Sequence, residues 1–147
     1  MRDFLLVVCA LVGLVSVSRA ETPVADSALR KNDSGWTDAS VPRGKTVIDT
    51  SIVDLIAHGD RLNGTQVRVR GFLRLDFEAT GVYMSRDTYN DRQLEYSVDV
   101  YLTPHQKMSS AQFQGRLVLL EGTFHKAFPG LGAVGKLTNV RSLEVFE

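Results

Sequence analysis

Two stretches limit what this chain can fold into: "QVRVRGFLRL", Gln66 to Leu75, and "LVLLEGTFHK", Leu117 to Lys126. Both run apolar-x-apolar-x and then reach a glycine and an aromatic residue, so that Gly71 and Gly122 fall at the same phase. Alternation with a period of two is the pattern of a strand. A glycine inside a strand marks a bulge or a sharp bend. Two long bent strands suit a sheet that curls into a small closed barrel. In the first, Val67, Val69, Leu73, Leu75 and Phe77 fall on one face, and Gln66, Arg68, Arg70, Phe72, Arg74 and Asp76 on the other. The second carries apolar residues on both faces, which predicts a central, well-covered position.

The remaining elements are shorter. "TSIVDLIAHGDRLNG" predicts a helix with Ser51 or Thr50 as cap, Asp54 completing a capping box, a stripe of Ile52, Val53, Leu55 and Ile56, and an end at Gly59. Asn63-Gly64 is a turn into the first long strand. "VYMS" reads as a short strand, "RDTYNDRQ" as a turn or one-turn helix, and "LEYSVDVYL" as a strand with Tyr96, Val98, Val100 and Leu102 opposite Glu95, Ser97, Asp99 and Tyr101. "HQKMSSAQF" makes a brief helix, "AFPGLGAVGK" a glycine-rich loop and "LTNVRSLEVF" the closing strand.

The start of the chain follows different rules. Arg2, an apolar run from Phe4 to Val17 and the small-x-small triplet Ser18-Arg19-Ala20 have the layout of a secretory signal peptide, with cleavage after Ala20. The run is shorter than the ~20 residues that span a bilayer. Residues 21–46 are polar, hold Pro23 and Pro42, and read as a flexible leader in which Trp36 can anchor on the domain or on a partner. Residues 47–147 form the domain. Cys9 is the single cysteine, so the chain after Ala20 has no thiol for a disulfide, a nucleophile or a thiolate metal site. Taking Arg2, Arg19 and Asp3 from 17 basic and 17 acidic residues leaves 15 and 16, a net charge of −1. A general nucleic-acid binder shows a basic excess, and none is present.

A helix, then "LNGTQVRVRGFL", then five strands with one glycine-bent strand early and one late, resembles the OB-fold, the oligonucleotide/oligosaccharide-binding barrel. "VRVRGFLRLDFEATGVYMS" followed by "LVLLEGTFHK" is similar to a group of small exported bacterial OB-like proteins, over Ile48 to Phe146. The resemblance implies an all-β, five-stranded barrel with one or two short helices. It leaves the ligand open.

Among possible sites, Gly130, Gly132, Gly135 and Lys136 match two phosphate-loop patterns. Such loops need a helix after them, and the Walker pattern needs Ser or Thr where Leu137 stands. This stretch is a hairpin bordering a possible ligand face. His58, His105 and His125 lack metal-ligand spacing, no nucleophile sits in a known setting, and no cofactor is implied. Arg68, Arg70, Phe72 and Arg74 have two readings: a solvated face whose charges are balanced across strands by Glu95, Asp99 and Glu121, or a ligand face with an aromatic platform. The expected role is an exported, non-enzymatic binding or accessory module for an envelope protein, a glycan or a small anion. The alternatives are a single-stranded nucleic-acid binder, which the charge balance and the export signal disfavour, and an enzyme of unfamiliar type.

Overall fold

The structure, a computed structural model, describes residues 29–146 except 45, 78, 129 and 131. The expected signal segment and its cleavage point lie outside the described residues. Among the described residues eight strands and three α-helices follow one another: β1 (Leu29–Asn32), β2 (Gly35–Asp38), β3 (Val47–Thr50), α1 (Ile52–Leu62), β4 (Gln66–Leu75), β5 (Thr80–Tyr83), α2 (Arg86–Asn90), β6 (Ser97–Val100), α3 (Pro104–Ser110), β7 (Leu117–Lys126) and β8 (Gly135–Val145).

Five of these strands close on themselves. β4 pairs with β5, β5 with β6, β6 in parallel with β8, β8 with β7, and β7 with β4. This is the all-β barrel that the two glycine-bent strands predict. β4 makes closure possible by changing partner: Gln66–Phe72 pair with β7 and Phe72–Leu75 with β5. Gly71 stands at the switch, where a Cβ would lie 2.8 Å from the Tyr83 carbonyl oxygen and 3.2 Å from Ile52 Cδ1. The alternation of β4 continues through Gly71, because Val69 and Leu73 are both fully buried. At Gly122 the register of β7 against β8 shifts between Glu121 and Thr123. The extra residues lie on β8, where Asn139 takes a φ of 49°, a conformation asparagine tolerates.

The barrel is filled by Val67, Val69, Leu73, Val82, Val98, Leu120, Phe124, Leu137 and Leu143. Each aliphatic side chain removed from water stabilises the fold by about 1.5–3 kcal/mol. α1 buries Ile52, Leu55 and Gly59 against the barrel. Its Ser51–Asp54 capping box forms as expected.

Several expectations need correction. α1 continues past Gly59 to Leu62 through a kink at His58 (φ −129°, ψ 21°). Val53 and Ile56 are exposed, because only a narrow side of the helix touches the barrel. Phe77 does not join the apolar face of β4: the strand ends at Leu75 and the ring is 99% exposed. Leu94–Tyr96 form a 3-10 turn, so β6 is shorter than the alternating stretch. The expected leader is in part folded. Residues 29–38 make a hairpin, β1 with β2, and β2 pairs with β8. Trp36 carries it, 2% exposed, with its Nε1 donating to Ser110 Oγ at 2.9 Å. One buried indole replaces the apolar period whose absence suggested disorder.

Candidate recognition surface

Arg68, Arg70, Phe72 and Arg74 share the outer face of β4, as alternation predicts, but meet four different surroundings. Arg68 donates through Nη2 to Glu121 Oε2 at 3.2 Å and through Nη1 to Asp49 Oδ1 at 3.4 Å. Both partners stand opposite it in register, Glu121 on β7 and Asp49 on β3. Arg74 donates through Nε to Asp76 Oδ2 at 2.8 Å and through Nη1 to the Tyr89 carbonyl at 2.8 Å, and its guanidinium lies over the Tyr89 ring. That hydrogen bond to Asp76 is the main reason its pKa rises above the ordinary arginine value. Phe72 is half-buried under the Arg86 guanidinium, 4.6 Å from the ring centroid, so a ligand does not find that ring face open. Arg70 is exposed and its described contact is the Phe146 ring at 5.6 Å.

Glu121 explains Arg68. It points outward from β7 yet is 1% exposed, with Arg43 Nε at 3.5 Å and Arg141 Nε at 4.0 Å from its Oε1. Glu121 is therefore the balancing acid expected for this face. Glu95 and Asp99 do not take that part, because β4 pairs with β3, β5 and β7, and β6 lies one strand further on.

A second row crosses the barrel at Arg74, Gly81, Asp99 and Lys136, each registered with the next. Gly81 contributes no side chain, so the row has a gap between Arg74 and Asp99. Asp99 is half-buried and has no hydrogen bond or ion pair among the described residues. Burial pushes its pKa above the ordinary aspartate range. It faces a cavity of about 250 Å³ lined also by Ala79, Thr80, Tyr101, Leu102 and Lys107. Tyr101 is exposed, with Lys136 Nζ 5.5 Å from its ring centroid. Lys107 Nζ donates to the Asp76 carbonyl at 2.5 Å and the Phe77 carbonyl at 3.3 Å, holding these two residues near the cavity that Lys107 lines.

The glycine-rich loop closes the β7–β8 hairpin, as expected. Gly130 and Gly132 take φ of 84° and 102°, a region that favours glycine. Gly135 and Lys136 belong to β8, and Leu137 is fully buried. The loop runs into a strand, which leaves no helix terminus for a phosphate. Val134 N–H donates to the Ser97 carbonyl at 2.8 Å, docking the loop against the start of β6. Sequence reasoning placed Lys136 at this border and missed Asp99 and Tyr101. The missing signal was the register that sets Gly81 beside Asp99. His125 Nε2 lies 3.0 Å from Thr138 Oγ1. Among the described residues no three metal-ligating side chains converge.

No protein-family model matches the sequence, and no curated protein matches it. Among solved structures the fold is similar to that of a protein assigned as an aspartyl-tRNA synthetase from Leishmania major Friedlin, at 13% identity and a TM-score of 0.44. The match covers 70% of this chain and 21% of that one, so the chain spans about a fifth of that protein's length.

Proposed function

We propose that this is an exported recognition module that binds a neutral glycan non-covalently across β5 and β6. One observation carries the reading: Asp99 is a half-buried carboxylate without a hydrogen-bond or ion-pair partner among the described residues, set in a cavity beside an exposed tyrosine. Desolvating a carboxylate without compensation is unfavourable, and hydroxyl donors from a ligand would supply that compensation. Sugar hydroxyls can donate to Asp99 and accept from Lys107 or Lys136, while a C–H face of the ring packs on Tyr101. Phe77, just after β4, and Phe128, just after β7, are both largely exposed, and OB barrels place such inter-strand segments around their ligands. Export rests on the signal-like first twenty residues. A carboxylate at the middle of this face repels a phosphodiester backbone, which disfavours a nucleic-acid ligand.

The test is calorimetry against a panel of neutral oligosaccharides and a single-stranded oligonucleotide at low salt. Binding of one glycan class that weakens in both Asp99→Asn and Tyr101→Ala is expected. Salt-sensitive oligonucleotide binding that survives Asp99→Asn would overturn the proposal.

A further inference from the structure

We propose that a second cleft, between the start of α1 and the outer face of β4 and β7, binds a small amphipathic anion, with an acyl carboxylate as its chemical class. The site is separate from the Asp99 face and does not depend on it. The cleft holds about 400 Å³, within the range of small-molecule pockets. Arg68, Arg70 and Asp49 form its charged side, and Val53, Met84, Leu119 and Phe146 its apolar side.

Charge selects the sign of the ligand. Arg43, Arg68 and Arg141 gather on Glu121, and Arg68 also reaches Asp49. In the lining itself Arg68 and Arg70 stand against Asp49, an excess of one positive charge, while the Asp54 carboxylate is held by the Ser51 backbone and hydroxyl. Arg68 is already engaged by Glu121 and Asp49, so the cation free to take a ligand is Arg70, whose described contact is an aromatic ring. One free guanidinium matches one carboxylate, which it can grip in a bidentate pair. A dense polyanion fits less well, because Asp49 stands at the rim with its side chain largely exposed.

The apolar wall selects the rest of the ligand. Val53 is 55% and Phe146 44% exposed, and Met84, 36% exposed, lines the same cleft. Exposed apolar groups gathered at one concave place mark a contact surface more than scattered ones do. A chain of methylene groups can lie along Val53, Met84 and Phe146 while its headgroup meets Arg70.

The experiment is isothermal titration of the full chain with decanoate below its micelle concentration, beside decanol, decyltrimethylammonium and inorganic phosphate. Decanoate should bind, and the three controls should bind at least about tenfold more weakly. Arg70→Gln should weaken decanoate by about tenfold, and Val53→Glu, at an exposed position, should do the same by placing a like charge in the wall. Asp99→Asn should leave it unchanged. Equal binding of decanol would reduce the cleft to a greasy patch, and equal binding of phosphate would remove the apolar wall from recognition. Either result, or decanoate binding that ignores both substitutions in folded variants, overturns the proposal.

Discussion

Replacing Arg68 should cost more stability than replacing Glu121, although the two form one ion pair. At 3.2 Å the pair attracts by about 5 kcal/mol for an effective dielectric constant near 20. The net effect depends on which charge is left behind. The side chains of Arg43, Arg68 and Arg141 are 57%, 34% and 22% exposed, so after Glu121→Gln they turn to water. Glu121 is 1% exposed and has no such route. After Arg68→Gln it loses its charge-assisted hydrogen bond and keeps Arg43 at 3.5 Å and Arg141 at 4.0 Å. Stripping the partner from a buried charge costs about 3–5 kcal/mol when nothing replaces it. The two remaining arginines lower this to about 2–3 kcal/mol for Arg68→Gln, against about 1–2 kcal/mol for Glu121→Gln. Urea unfolding followed by Trp36 fluorescence measures both, and the difference should persist in high salt because the carboxylate is buried. An Arg68→Gln cost below about 0.5 kcal/mol, the range of a surface pair, or a larger cost for Glu121→Gln, would mean that the buried carboxylate does not set the cost of breaking the pair.

Asp99→Asn should raise stability at neutral pH and flatten its pH dependence. Burial raises the Asp99 pKa, so the folded state keeps its proton to higher pH than the unfolded chain; stability is full below the ordinary aspartate value and lost as pH rises through the folded one. Parallel urea midpoints for parent and variant between about pH 4 and 7 would refute this. Phe72→Ala should cost about 1–2 kcal/mol, less than the 3–5 kcal/mol of a core phenylalanine, because the ring lies on the outer face under Arg86; thermal melts check it. Ser110→Ala strands the buried Trp36 N–H and should cost about 1–3 kcal/mol in the same assay. If the first twenty residues act as a signal, protein recovered from the envelope or medium should begin at Glu21 on N-terminal sequencing, and recovery of the uncut chain in membranes would contradict the signal reading.

The barrel was legible because its strongest signals are local. The alternation of Val67, Val69 and Leu73 reads directly as an inward face, and it survives the bend at Gly71. Ser51 and Asp54 announce their capping box within four residues. What sequence could not show depends on distant partners. Trp36 looks like a lone aromatic in a polar leader until Ser110, 74 positions away, accepts its N–H. Phe72 looks like a stacking platform until Arg86 covers it. Asp99 looks like one more solvated acid until register puts Gly81 on one side of it and Lys136 on the other.

The same dependence on partners gives the near-neutral charge its meaning. A net charge of −1 after Ala20 invites the reading that every arginine on the outer face is balanced by an acid across the sheet. That holds for Arg68, which fastens β3 and β7 to β4, whereas Arg74 is balanced by Asp76 two residues along its own chain and ties the segment around Tyr89 to β4 through a backbone carbonyl. It fails at two places of opposite sign. Asp99 has no described cation, and Arg70 has no described acid. The two cannot cancel each other, because they occupy different surfaces: Asp99 on β6 beside Tyr101, and Arg70 on β4 beside Phe146. A sum near zero thus conceals one surface suited to hydrogen-bond donors and another suited to an anion. Fields of opposite sign decay within about 8–10 Å at physiological salt, so each acts on its own ligand. Mutating either charge should therefore change binding at one surface and leave the other as it was.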